Sequence, residues 1–393
     1  MWLGILSGLY AIPALFGLLL SVRQTVSALR QRRLLSALGW LSAVALILTG
    51  REWIRLLRSP AADEPKPLVP DRRGMAIGHG GVRLEWEQFG PDDAPALLLS
   101  HGWSLSHETW YYQKKALSSE FRVIVWDLRG TDRSQAPADR NYSMAAMTAD
   151  LAAVFDAVDA GRHPQGCVLA GHSVGAMLLP LFAVSYPALM AGVRGLALLG
   201  GTDSPMLETM RGRRVLAPMR RLFWEPLART MAFMPEPFEW FVRLITQMGC
   251  VHLALMHGTN CGQDSRGQND LVARHCAEFS MRAAGLGALA CFAYNTRTLL
   301  PVITVPTLVL TGIKDNNMPP ETQAAMASRL PNCELVLINN CGHLGLLECH
   351  TEVSAHLRDF AKRCLRGEKM RGNKFLSLNG VLRTDKYKKP DIC

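Results

Sequence analysis

The chain lacks any close pairing of cysteines. Its ten cysteines, Cys167, Cys250, Cys261, Cys276, Cys291, Cys333, Cys341, Cys349, Cys364 and Cys393, include no C-x-x-C pair and no Cys/His set at zinc spacing. That excludes a zinc ribbon or finger, and in a chain of 393 residues they read mostly as free thiols. Such usage leans toward a reducing compartment or toward independence from disulfides. Charge is also sparse, at 19% against 49% hydrophobic residues, which excludes disorder as the default and leaves a sizeable core. Acidic residues are nearly missing from the amino end: residues 1–58 hold seven arginines and only Glu52. Residues 366–393 carry a net +5, whereas 59–365 sum to −1. The net charge of +10 therefore sits on the flanks. No nucleic-acid-binding face is expected, and a membrane-apposed protein fits better.

What is present at the amino end is apolar. Residues 2–20, WLGILSGLYAIPALFGLLL, carry no charge and nearly cross a bilayer core as a helix, with Pro13 as a kink. Residues 34–50, LLSALGWLSAVALILTG, form a second apolar run. Between them SVRQTVSALRQRR reads as an arginine-rich loop. Segment 1–58 is thus expected to be an anchor of one or two transmembrane helices in contact with membrane lipids, which makes the protein an integral membrane one. A cleaved signal peptide and a pair of buried core helices are the rival readings. The loop arginines and Arg51, Arg55 and Arg58 pull the orientation in opposite directions, so the side of the domain stays open. REWIRLLR (51–58) can lie along a bilayer surface, and the proline-rich 59–74 reads as a stiff linker.

Beyond it the pattern alternates. VRLEWEQFG (82–90) reads as a solvent-facing hairpin strand. Six short apolar runs follow: ALLLSHGW, FRVIVWDLRG, CVLAGHS, VRGLALLGG, VPTLVLTG and CELVLINN. Helix-like stretches at 143–159, 174–186, 320–329 and 350–364 separate most of them. This predicts an α/β fold with a mostly parallel sheet covered by helices on both faces. Polar residues gather at the carboxyl ends of the strands, where such sheets place their sites. The core is expected over 75–201 and 301–365. Residues 202–300 break the rhythm, are too long for a loop, and read as a mostly helical insertion forming a lid. The tail 366–393 lacks periodicity and reads as a disordered basic extension.

LAGHSVGAM (169–177) puts Ser173 between Gly171 and Gly175, at a strand-to-helix junction. Two readings compete: a nucleophile on a strained turn, or a helix N-cap. The glycine spacing favours the first, because side chains two residues to either side of such a turn would collide with neighbouring backbone. A serine nucleophile needs a base, and the base needs an orienting carboxylate. His343 in NNCGHLGLLE and Asp315 in TGIKDNNMPP follow later strands in the order Ser, Asp, His. Asp203 in LLGGTDSP is the rival acid. Backbone N–H groups of Val174 and Trp103 are the expected oxyanion donors. His101 reads as a brace for its loop, and His172 as a packing residue.

With these stretches assembled, the chain resembles the α/β-hydrolase superfamily from about residue 75 to 365. LLLSHGWSLSHETW, VIVWDLRGTDRS, LAGHSVGAM, LTGIKDNNMPP and CGHLGLLE carry the resemblance. It implies a Ser173–Asp315–His343 triad with Trp103 and Val174 as oxyanion donors. Serine at the elbow, where epoxide hydrolases and haloalkane dehalogenases use aspartate, argues against those branches. One departure is Asp132, in RGTDRS, where the family usually has glycine. The anchor and the basic tail are not family features. The expected reaction is hydrolysis of a small-molecule or lipid ester through an acyl-enzyme, with no metal and no cofactor. An acyltransferase, a perhydrolase or haloperoxidase-like enzyme, and a non-catalytic binding protein are the alternatives.

Overall fold

The computed structural model of the chain describes residues 2–259 and 263–368. Most of the expected basic tail, from residue 369 on, lies outside the described residues. The chain opens with a helical hairpin, α1 (Trp2–Arg30) and α2 (Leu34–Leu48). The stretch 21–33, expected as a loop, is helical through Arg30, and only 31–33 turn. The reason is local: SVRQTVSALR holds no glycine or proline. The stretch Ser7–Arg30 is long and apolar enough to cross a membrane. Its 24 residues span about 36 Å. α2, at 15 residues, reaches only about 22 Å.

α3 (Gly50–Arg55) follows, and then the segment read as a stiff linker. It is docked on the domain. The Asp63 carboxylate accepts from the Tyr111 hydroxyl at 2.6 Å and from Lys115 at 2.7 Å, while Tyr112 donates to the Asp63 carbonyl at 2.8 Å. The Ser265 hydroxyl donates to Glu64.

The body is one eight-stranded sheet in the order β1-β2-β4-β3-β5-β6-β7-β8. β1 (Arg72–Ile77) begins inside the expected linker and pairs antiparallel with β2 (Arg83–Phe89), which pairs antiparallel with β4. All remaining pairings are parallel. In chain order come β3 (Ala96–Ser100), α4 (Tyr111–Leu117), β4 (Arg122–Trp126), α5 (Met144–Ala157), β5 (Cys167–His172), α6 (Val174–Ser185), α7 (Pro187–Met190) and β6 (Val193–Leu199).

The strands are apolar on both faces because both faces are covered. Leu98 of β3 and Ile124 of β4 join the cluster under α5 and α6, while Leu97, Leu99, Val123 and Val125 join the opposite one. β2 departs from the expected alternation: Glu87, Gln88 and Phe89 are all buried.

Between β6 and β7 the chain leaves the sheet for a helical segment. It contains α8 (Met206–Thr209), α9 (Arg213–Leu216), a π-helical turn (Arg220–Trp224), α10 (Glu225–Phe233) and α11 (Pro235–Gln247). α12 (Cys250–Ala254), a second π-helical turn, α13 (Arg266–Glu278) and α14 (Met281–Ala293) complete it. β7 (Thr307–Gly312), α15 (Pro320–Ala327), β8 (Cys333–Ile338), α16 (Gly345–Glu348) and α17 (His350–Leu365) return to the sheet.

Candidate active site

Three strand ends meet at Ser173. β5 stops at His172 and α6 starts at Val174, so the serine alone makes the turn. It does so at φ 53° and ψ −117°, a backbone conformation that non-glycine residues rarely adopt. The flanking glycines have separate causes. A Cβ on Gly171 would lie 2.3 Å from the Gly175 backbone, and one on Gly175 would lie 2.3 Å from the Ser100 carbonyl oxygen. The turn is held by the Ser173 N–H, which donates to the Leu199 carbonyl at 2.8 Å. The serine side chain makes no cap bond to α6. Its Oγ instead lies 3.2 Å from His343 Nε2.

His343 comes from the loop after β8, and its Nδ1 lies 2.7 Å from Asp315 Oδ2. Asp315 follows β7, and its other oxygen accepts the N–H groups of Asn317 and Met318, both at 2.8 Å. That fixes the carboxylate with one oxygen directed at the imidazole. The two loops are tied together, since the Lys314 N–H donates to the Cys341 carbonyl at 2.9 Å. Ser173, Asp315 and His343 are thus brought together in the order a serine nucleophile needs. All three are largely buried, with Ser173 9% exposed.

The rival acid is placed differently. The Asp203 carboxylate accepts from the Ser204 hydroxyl at 2.5 Å and from Arg329 at 2.8 Å. Both its oxygens are committed to other partners.

Two further groups surround His343, of which sequence reasoning gave His172 only a packing role and did not single out Glu348. The His172 Nε2–H donates to the His343 carbonyl at 2.8 Å, and burial pushes the His172 pKa down to about 3, so the ring is neutral. The Glu348 carboxylate accepts the Gly342 N–H at 2.8 Å. The glutamate in CGHLGLLE was the available signal.

The loop after β3 lies against the nucleophile. A Cβ on Gly102 would lie 2.8 Å from His172 Nδ1 and 3.1 Å from Ser173 Cβ. Trp103 follows directly. Its indole stands edge-on to Phe279, with ring centres 5.3 Å apart, and packs so closely on Gly287 of α14 that a Cβ there would lie 2.1 Å away. The helical segment therefore rests on this loop. His101 braces it: the Leu128 N–H donates to His101 Nε2 at 3.0 Å, and Nδ1–H donates to the Gly102 carbonyl at 2.8 Å. Burial pushes the His101 pKa down to about 4, which suits this neutral tautomer.

A second serine–histidine contact lies nearby, with Ser106 Oγ 2.8 Å from His275 Nε2. Ser106 has ordinary extended backbone, is fully buried, and its oxygen also accepts the Glu108 N–H as a cap. It bonds the loop to α13 and offers no exposed nucleophile.

The region of Asp132 is a charge cluster. Asp132 takes φ 42°, so the aspartate adopts the left-handed conformation for which a glycine is the easiest residue. His107, Asp127 and Asp132 bring ligand atoms within 4.8 Å of one another. Cations of the chain already balance them. His107 Nδ1 lies 2.9 Å from Asp127, its Nε2 lies 3.3 Å from Glu87, and Glu87 also pairs with Arg73 and Arg133. Burial alone would lower the His107 pKa, but the hydrogen bonds to Asp127 and Glu87 outweigh it and push it up to about 9. Glu87, which burial alone would raise, is held down to about 2, chiefly by His107. Burial brings neighbouring Lys114 down to about 8.

These directions set a pH dependence. A histidine whose folded pKa exceeds its unfolded value stabilises fully below the unfolded value, about 6.5, and loses that contribution as pH climbs toward about 9. The depressed Lys114 opposes this slope only above about 8. Between about pH 6.5 and 8 the His107 contribution should therefore fall by roughly 1–2 kcal/mol, opposed near pH 6.5 by the buried neutral His101 and His172. Thermal unfolding across that window checks it. His107→Gln should be less stable overall and show a flatter slope; an unchanged slope would contradict the assignment.

Comparison with known proteins places the chain. A model described as "Alpha/beta hydrolase family" matches residues 97–356. The putative carbamate hydrolase RutD of Variovorax paradoxus (strain S110) is 29% identical over 284 residues, covering 71% of this chain and 96% of that protein. Human epoxide hydrolase 4 is 30% identical over 147 residues, 36% of this chain and 40% of that protein. Among solved structures, a thermophilic esterase from Thermogutta terrifontis aligns with a TM-score of 0.61 at 25% identity, over 75% of this chain and 99% of that one.

Proposed function

The chain belongs to the alpha/beta hydrolase family, and we propose that it is a membrane-anchored serine hydrolase of lipophilic carboxylic esters. One observation carries the reading: Ser173 Oγ, on a strained turn, lies 3.2 Å from a histidine whose other nitrogen lies 2.7 Å from a carboxylate. Ser173 attacks the ester carbonyl carbon while His343 Nε2 takes the hydroxyl proton. Asp315 stabilises the imidazolium that forms. The N–H of Val174, first in α6, and that of Trp103 donate to the oxyanion. Collapse of the tetrahedral species expels the alcohol, which leaves with the proton from His343. A water, deprotonated by the same imidazole, then frees the carboxylic acid and restores Ser173. Serine at this position separates the chain from hydrolases with an aspartate nucleophile, the epoxide hydrolases among them.

Support for a lipophilic substrate comes from the membrane-length α1 and from the apolar character of segment 202–300, which we read as the lid. The test is a panel of p-nitrophenyl esters of rising acyl length beside a carbamate and an amide, assayed on full-length protein in detergent micelles. The expected result is ester turnover with kcat/KM rising about tenfold or more from acetate to medium chains, as added buried methylenes contribute. Flat or falling kcat/KM would contradict the lipophilic assignment. Preference for the carbamate would replace it with the chemistry named for the bacterial relative.

A further inference from the structure

The hairpin and the helical segment touch in an unexpected place. Tyr10, Ala11, Ala14, Leu15 and Leu18 of α1 pack into the same apolar cluster as Ile245, Met248, Val251 and Leu255. On other faces of those turns Leu9, Ile12, Phe16 and Leu19 are exposed. One stretch of α1 thus meets the domain on one side and presents lipid-compatible side chains on the other. If α1 spans a bilayer, helices α11 and α12 are drawn to bilayer level with it.

The surface that continues from this contact is apolar and basic. α3 packs on α11 and α12, and α11 packs on α10. Along that path Trp53 and Leu57, then Trp240, Phe233 and Leu222, stand exposed, the last three by 67%, 78% and 83%. Large exposed apolar side chains in such number are not the isolated examples found on any soluble surface. Among them Arg214, Arg221, Arg229 and Arg243 are exposed and form no ion pair among the described residues. Of the three acids in 211–243, Glu225 is paired with Arg220 at 2.7 Å, Glu239 accepts the Met281 N–H, and Glu236 is the one exposed carboxylate set against these four arginines. Unpaired arginines interleaved with Trp, Phe and Leu match the interface of an anionic bilayer, where apolar tips enter the acyl boundary and guanidinium groups meet headgroups.

We infer that the face formed by residues 213–243 docks on the anionic membrane surface in which the hairpin is anchored. This rests on the anchored reading above and adds to it that the insertion over the site is itself held at the lipid interface. A lipophilic ester would then pass from the bilayer to Ser173 under a segment already in contact with lipid.

The test uses full-length protein reconstituted in vesicles of phosphatidylcholine with phosphatidylglycerol, with or without brominated acyl chains. Trp240 emission is isolated as the difference between wild type and Trp240→Phe. Brominated lipid is expected to quench about half or more of that emission, as for interfacial tryptophans, while aqueous iodide has little effect. Arg214→Glu with Arg221→Glu should reduce the bromolipid quenching and remove its dependence on phosphatidylglycerol, with hydrolysis of a soluble short ester unchanged. Flotation separates the two readings. Protein that floats with vesicles after alkaline carbonate, yet has Trp240 quenched by iodide alone, overturns the docking and leaves the anchor. Trp240 shielded from both quenchers marks a protein contact and also overturns it. Protein that carbonate strips from the vesicles overturns both.

Discussion

Ser173→Ala should abolish ester turnover, by a factor on the order of 10⁶ in kcat, with the fold intact. The size follows from the role: without Oγ there is no acyl-enzyme, and only the oxyanion donors and substrate binding remain. The intact fold follows from the contacts. Oγ makes no cap bond to α6, and its hydrogen-bond partner is His343, so its loss leaves no helix end open. The backbone gives this prediction a second arm. At φ 53° a Cβ is strained, and glycine removes that strain. Ser173→Gly should therefore be as inactive as Ser173→Ala and more stable than it by about 1 kcal/mol, seen as a higher melting temperature. If the residue were only a helix cap, turnover would persist. If the turn were unstrained, glycine would bring no gain.

Asp315→Asn should lower kcat by about 10⁴-fold, whereas Asp203→Asn should leave catalysis within a few-fold of wild type. The carboxamide keeps the volume and can still accept the Asn317 and Met318 N–H groups through its oxygen. That directs its NH₂ toward His343 Nδ1, now 2.7 Å from a donor in place of an acceptor. The imidazole must then present an N–H to Ser173 and can no longer take its proton. Asp203 has its effect elsewhere. It holds Arg329 and Ser204, so Asp203→Asn should destabilise the protein by about 1–3 kcal/mol through a partly buried, unbalanced arginine. Steady-state kinetics and melting curves on the two variants separate the roles. Equal kinetic losses in both would contradict the assignment.

Much of the fold was legible because parallel strands covered on both faces must be continuously apolar. ALLLS, RVIVW, CVLAGH and TLVLTG announce themselves for that reason. The three residues at the site were legible because each follows such a run. What escaped depends on partners distant in sequence. Glu87 alternates like a solvent-facing residue, yet it is buried, because His107, Arg73 and Arg133 compensate its charge from other segments. β1 and the docked stretch before it carry no apolar periodicity: β1 is held by its pairing with β2, and the stretch by the Asp63 contacts to Tyr111, Tyr112 and Lys115. The arginines of 21–33 suggested a loop, but arginine is a good helix former, and no glycine or proline interrupts α1 between Ser21 and Arg30. The left-handed Asp132 shows why a motif departure can be harmless: aspartate tolerates positive φ better than most side chains.

The proposed chemistry requires one nucleophile, Ser173. The most direct measurement treats folded full-length protein with a fluorophosphonate, which forms a stable phosphonyl ester only with an activated serine. Peptide mass mapping then locates the adduct. The prediction is stoichiometric labelling at Ser173, absent in Ser173→Ala and strongly slowed in Asp315→Asn. A folded wild-type protein that resists labelling, or an adduct at Ser106 or another serine that persists in Ser173→Ala, would contradict it.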